Sequence, residues 1–210
     1  MRFRLTDAAE TLASQRPALV EDDNDERQKK IAEALGRPPT VFDVQRELRQ
    51  QLVDLSERIG CERATVWMVN HLEGRLWNIA STQLGNSIIS IRMRHGLAGK
   101  AASTQTDLVS NDAQNDTNFL NRVDKATNFV TRSVLCVVLS EEGTQDARAI
   151  VQLINKRGDG QGEGEQGEFD IKDAARVRDE DGEAILQTCS GIALHQLLSR
   201  KDTAPPPVVV

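Results

Sequence analysis

Apolar residues recur at intervals of three and four from Val41, with Val44, Leu48, Leu52, Leu55 and Ile59 following on one stripe. That period predicts a helix over 40–60. Thr40 can cap its first N–H groups, and Gly60 tolerates the left-handed backbone that ends a helix. Asp43, Arg46, Glu47, Arg49 and Arg58 fall on the polar side. Beyond Gly60 the period shortens. Residues 64–70 and 75–81 are rich in β-formers and flank a short turn containing Gly74, which predicts a hairpin. Residues 87–93 predict a further strand, with Ile89, Ile91 and Met93 on one face. Gly96-Leu97-Ala98-Gly99 opens a short helix, 107–110 is a brief strand, and 111–128 is a polar loop with helical turns. Two strongly apolar strands follow, 133–139 and 147–154.

Five glycines between Arg157 and Glu168 mark a flexible excursion. Ile185, Cys189, Ile192, Leu194 and Leu198 then form a broad stripe that predicts a closing helix over 180–199. Pro205-Pro206-Pro207 cannot continue it. Helix, six strands with helical loops, then helix predicts an α+β domain over 40–200 with a six-stranded antiparallel sheet. Residues 1–39, polar with an acidic run, read as a largely flexible leader, and 201–210 as a flexible tail.

Composition narrows the function classes. Hydrophobic residues make up 39% and charged ones 28% of 210 residues, as in ordinary globular proteins. A net charge of -6 argues against a nucleic-acid partner, which needs a basic stripe. No apolar run reaches the roughly 20 residues that span a bilayer, so no membrane partner is expected. Three scattered cysteines, Cys61, Cys136 and Cys189, make neither a disulfide framework nor a zinc pair, and the chain reads as cytoplasmic.

Catalytic motifs fail one by one. Gly99-Lys100 looks like the end of a phosphate-binding loop, but Arg94 stands where the first glycine must be and Ala101 where a magnesium ligand is needed. The glycine-rich stretch lacks the acidic spacing of a calcium loop. His71, His95 and His195 form no ligand pair, and no GxSxG elbow exists. Cys136 lies mid-strand, where a thiol is usually buried and inert. No catalytic residue, cofactor or metal is expected.

The segment 123–136, VDKATNFVTRSVLC, carries the most specific signal. It resembles the V-D-x-x-T-G-F-x-T-R-S-I-L-C run of the GAF domains found ahead of cyclic-nucleotide phosphodiesterase catalytic domains and in some adenylyl cyclases. Gly96–Gly99 is similar to that family's G-I-A-G, Asn111-Asp112-Ala113 to its N-x-A, Asn155-Lys156 to the end of its Q-L-I-N-K strand, and 191–195 to its final helix. The resemblance implies a regulatory domain that binds cAMP or cGMP, with cAMP favoured, and does no chemistry. It implies a homodimer through the flanking helices. A helical lid over 111–128 would close on the ligand.

The same resemblance assigns the site. Thr65, Ser81, Thr82 and Gln152 would line the sheet side of the pocket. Leu97 and Ala98 would offer backbone N–H groups to the phosphate. Phe129 to Thr131, after another short helical turn, would do the same; Thr127 and Thr131 would be pocket threonines and Asp124 a lid acid near the ribose or base. The family's signature joins an Asn-Lys pair to a later Phe and an Asp-Glu, with the Lys and Asp paired inside the fold. Asn155, Lys156 and Phe169 fit it. Strict spacing then selects Asp173, whereas counting back from Gly191 selects Asp179-Glu180. The second register is preferred, since insertions sit more easily in loops. Two other outcomes stay open: a ligandless dimerisation module, and a GAF-fold reductase of free methionine sulfoxide.

Overall fold

The computed structural model describes residues 40–84, 89–121, 124–125, 128–141, 143–144, 146–158 and 166–190, with the backbone of 208–209. The expected leader, Thr127, most of the glycine-rich excursion and the second half of the closing helix lie outside the described residues.

Helix α1 (Val41–Ile59) follows the apolar stripe. The Asp43 carboxylate accepts from the Thr40 backbone N–H at 2.8 Å and from its hydroxyl at 2.7 Å, which ties the first turn shut. Gly60 ends the helix at φ 75°, and its N–H donates to the Ser56 and Glu57 carbonyls. Leu48, Leu52 and Leu55 are fully buried, each contributing about 1.5–3 kcal/mol by removal from water.

Six strands build the sheet: β1 (Cys61–Asn70), β2 (Arg75–Ser81), β3 (Ile89–Arg92), β4 (Leu108–Ser110), β5 (Val134–Ser140) and β6 (Ala147–Lys156). Their order is β4-β5-β6-β1-β2-β3, every pair antiparallel. A two-residue strand β7 (Val208–Val209) adds to the β3 edge in parallel. It lies in the expected flexible tail and makes the sheet seven-stranded, one more than the sequence pattern predicts.

Alternation splits the side chains between two faces. Ala64, Val66, Leu135, Val137, Val151 and Leu153 point to the α1 side and form one core. Trp67, Val69, Val134, Cys136 and Ile150 point the other way and form a second core under helix α2 (Gly96–Thr104). Between Val66 and Trp67 the β1–β2 register slips by one residue on β2, so that consecutive Ile79 and Ala80 both join the first core.

The closing helix departs from expectation. It begins not near 180 but at Ile171, as α3 (Ile171–Arg176), runs through a π-helical turn (Val177–Gly182) and continues as α4 (Glu183–Ser190). The reason is local. Asp170 caps the start, its side chain accepting from the backbone N–H groups of Lys172 and Asp173 at 2.8 and 2.9 Å. Ala174 and Val177 then supply a narrow apolar edge among many charges, too sparse to register as a stripe.

Candidate ligand-binding site

The face of the sheet opposite α1 is covered by α2 at one end and by the loop after β4 at the other. Between them lies a cavity of about 100 Å³. That is room for a small ligand rather than one trapped water molecule. Its floor is a consequence of strand alternation: Thr65 and Trp67 from β1, Ser81 from β2 and Gln152 from β6 all face it. The Thr65 hydroxyl donates to Ser81 Oγ at 3.1 Å, and Trp67 Nε1 donates to Gln152 Oε1 at 2.9 Å. These bonds fix the floor's polar groups before any ligand arrives.

Gly96, Leu97 and Ala98 form the α2 side. The first N–H groups of a helix lack intrahelical partners, and His95 at the N-cap supplies no side-chain bond here. The loop into α2 is tight enough to dictate its glycines. Gly96 sits at φ 70°, and a Cβ on Gly99 would come within 2.7 Å of the Arg92 carbonyl oxygen.

The lid side is organised by Asp124. Its Oδ1 accepts from the Thr131 hydroxyl at 2.7 Å, and its Oδ2 from the Thr131 backbone N–H at 2.8 Å and from Gln114 Nε2 at 3.3 Å. Gln114 Nε2 also donates to the Thr131 carbonyl at 2.8 Å. Phe119 and Leu120 complete this wall.

Of the residues assigned from sequence, Thr65, Ser81, Leu97, Ala98, Asp124, Thr131 and Gln152 line one cavity. Thr127 lies outside the described residues. Two assignments need correction. Thr82 does not line the cavity. Its backbone N–H and hydroxyl pair with the Ala64 backbone, so that it extends the β1–β2 ladder instead. Phe129 is also absent from the lining and instead stacks on Arg63, whose guanidinium carbon is 3.3 Å from the ring centroid.

Sequence reasoning missed Arg63, a cation in the cavity wall. The signal was available: Arg63 lies two positions before Thr65, on the same face of β1. Burial holds its guanidinium below the ordinary arginine value, opposed by the charges of Asp124 and Glu62.

The Asn-Lys motif sits behind the lid. Asn155 is 1% exposed and adopts φ 57°. Its Oδ1 accepts from the backbone N–H groups of Arg132 and Ser133, at 2.7 and 3.3 Å. Its Nδ2 donates to the Val130 carbonyl and to Glu62, at 2.9 and 3.0 Å. Lys156 points into the helical layer, where Nζ donates to the Ile59 carbonyl at 2.6 Å and to Asp173 Oδ1 at 2.8 Å. Phe169 is buried beside it, its ring centroid 5.9 Å from Nζ.

The preferred register of the motif is therefore wrong. Asp173, not Asp179, pairs with Lys156. Because α3 starts at Ile171, Asp173 falls on its first turn facing the sheet. Asp179 is exposed on the π-helical turn, and Glu180 reaches outward to Arg58 at 3.0 Å.

Burial pushes the Cys61 thiol up to about 11 and the Cys189 thiol up to about 12, and raises Cys136 as well. Among the described residues no cluster of His, Cys, Asp and Glu could hold a metal ion. Among them, too, no helix is long and apolar enough to cross a membrane.

An antiparallel sheet with α1 on one face, and α2 beside a covered cavity on the other, defines an α+β domain. Residues 43–167 match the family model of the GAF domain, and the chain belongs to that family. Solved structures share the fold at low identity. The GAF domain of an Acinetobacter phosphoenolpyruvate-protein phosphotransferase is 11% identical at a TM-score of 0.55, over 86% of this chain and 99% of that one. Its counterpart from Coxiella burnetii is 14% identical at 0.54, over 84% and 96%. The type II free methionine-R-sulfoxide reductase of Thermoplasma acidophilum is 12% identical at 0.54, over 73% and 97%.

Proposed function

We propose that this chain is a regulatory domain that binds a cyclic nucleotide in the lidded cavity. The observation that carries the reading is the meeting, around one space, of an uncapped helix start, a polar floor and a lid fastened through Asp124 to Thr131. An uncapped helix start favours an anion such as a cyclic phosphate. The Gln152 amide, whose oxygen is taken by Trp67, keeps its N–H groups for a ligand acceptor. Guanine presents a donor edge that calls for a carboxylate. The one carboxylate in the described lining, Asp124, already has both oxygens engaged, which favours cAMP over cGMP.

Regulation follows from lid position. A ligand that binds the closed lid more tightly than the open one shifts the population between them. Asn155 and Lys156 are neighbours on one strand: the first holds the end of the lid, the second the end of α1 and the start of α3. That pair gives the flanking helices a physical link to the cavity, and pairing of two copies through those helices is the assembly this reading implies.

Titration calorimetry with cAMP and cGMP is the test, and saturable heat with cAMP is the expected result. Thr131→Ala should lower that affinity about 5- to 10-fold while the far-UV spectrum stays unchanged. It removes one charge-assisted hydrogen bond that holds Asp124, worth about 1.5–3 kcal/mol, of which the ligand feels only the part transmitted through Asp124. Equal affinity in the variant would count against the pocket.

A thiol-based reductase is the reading that the buried cysteines disfavour, because the thiolate is the nucleophile and burial opposes it. The folded chain is expected to react with a thiol reagent at pH 8 at well under one site per molecule in the first minutes, and at three sites once unfolded. Rapid labelling of Cys136 in the folded state, with turnover of free methionine sulfoxide under dithiothreitol, would reverse that preference.

A further inference from the structure

Arg63 is the one cation among the described residues that line the cavity. Both nearby carboxylates are already occupied. Asp124 is held by Thr131 and Gln114, and Glu62 is bound by Arg132 and by Asn155. Among the described residues the Arg63 guanidinium makes no hydrogen bond or close ion pair, and Asp124 and Glu62 act on it only through their charge. A guanidinium carries five N–H donors in a rigid plane. Here the flat face of that plane is covered by Phe129, so the donors at its edge are what a ligand meets.

We infer that Arg63 is the anchor for the ligand's anionic phosphate, pairing its donor edge with two phosphate oxygens while Phe129 fixes the plane of the fork. The inference rests on the nucleotide reading above and goes beyond it. The charge of the ligand is met by a side chain on β1, and not by the α2 start alone. Phe129 directly follows the lid and stands two residues before Thr131, which Asp124 of the lid holds, so the grip on the phosphate and the position of the lid are coupled through one stacked pair. A planar pair of N–H donors fits two oxygens of one phosphate, and a lysine in its place would offer charge without the fork.

Calorimetry on the wild-type chain, Arg63→Gln and Arg63→Lys, titrated with cAMP, cGMP, adenosine and guanosine, tests the assignment. Arg63→Gln is expected to lose about 10- to 100-fold in affinity for both cyclic nucleotides and nothing for the nucleosides, as for one charge-assisted contact. Arg63→Lys should recover only part of that loss. A loss confined to cGMP and guanosine would overturn the assignment, because Arg63 would then be reading the acceptor edge of guanine. Unchanged affinities throughout would overturn it too. Thermal melts show whether each variant is folded, and if Arg63→Gln is not, Arg63→Lys carries the comparison.

Failure of the nucleotide reading is distinguishable. If the wild type binds no cyclic nucleotide, inorganic phosphate and methyl phosphate are titrated while Trp67 fluorescence is followed in a Trp77→Phe background. A saturable change that Arg63→Gln abolishes supports the anion anchor without any nucleotide. Absence of a change in that background refutes it.

Discussion

Asp173→Ala is expected to destabilise the domain by about 3–5 kcal/mol, whereas Asp179→Ala should stay within about 0.5 kcal/mol of the wild type. The difference comes from what each carboxylate faces. The Lys156 and Asp173 side chains are 15% and 9% exposed, and Nζ lies 2.8 Å from Oδ1. Removing Asp173 leaves an ammonium group half-enclosed by the Ile59 carbonyl and the Phe169 ring with no counter-charge. It also unties the start of α3, because Asp173 Oδ2 accepts from the Asp170 backbone N–H at 3.2 Å. For a domain of this size each kcal/mol moves the melting midpoint by roughly 2–4 °C, so a fall of about 6–20 °C is expected in a thermal scan. Lys156→Met together with Asp173→Leu should recover much of the loss, since an apolar pair of similar volume removes the stranded charge. Equal melting of the Asp173 and Asp179 variants would show that the ion pair contributes nothing.

That register was the point at which the sequence misled, and the reason is physical. Insertions do concentrate in loops, and five glycines between Arg157 and Glu168 suggested such a place. What the pattern hid was a helix start at Asp170, where one capping side chain and two buried residues, Ala174 and Val177, outweigh a run of charges. Tertiary burial decided the element, not local hydropathy. By contrast α1 was legible almost to the residue. Its stripe is continuous and both of its ends are chemically marked by Thr40 with Asp43 and by Gly60. The strands were legible because they are short runs of β-formers bounded by turn residues. The β2 bulge that brings Ile79 and Ala80 to one face leaves no mark in hydropathy.

The cavity was half legible. Thr65, Ser81 and Gln152 are paired neighbours on the adjacent strands β1, β2 and β6, and a face once known predicts them. Arg63 obeys the same alternation, but a charged residue near a strand end reads as solvated until a fold shows what stands above it. Thr82 failed for the opposite reason. It follows Ser81 directly, so alternation turns it from the floor, and its hydroxyl closes the ladder at Ala64.

Asn155→Ala should be at least as costly, about 3–5 kcal/mol, and its effect should concentrate on the lid. Four hydrogen bonds converge on this side chain, three of them with the backbone of Val130, Arg132 and Ser133. Alanine would leave buried donors and an acceptor unpaired, at roughly 1–3 kcal/mol for each such group before relaxation. It would also place a Cβ without local hydrogen bonds at φ 57°, a region that costs about 1–2 kcal/mol for L-residues other than asparagine, aspartate and glycine. Asn155→Gly separates the two contributions: it removes the side-chain bonds and keeps the backbone relaxed, so it should be about 1 kcal/mol less damaging than alanine. Urea unfolding gives the totals, and amide hydrogen exchange gives the location. In both variants the Arg132 and Ser133 amides should exchange at least tenfold faster than those of β1, because the bonds that hold the lid's end to the sheet are gone. If those two amides kept their protection while stability fell, Asn155 would be a core residue only. The strand that carries it would then have no hold on the cover of the cavity.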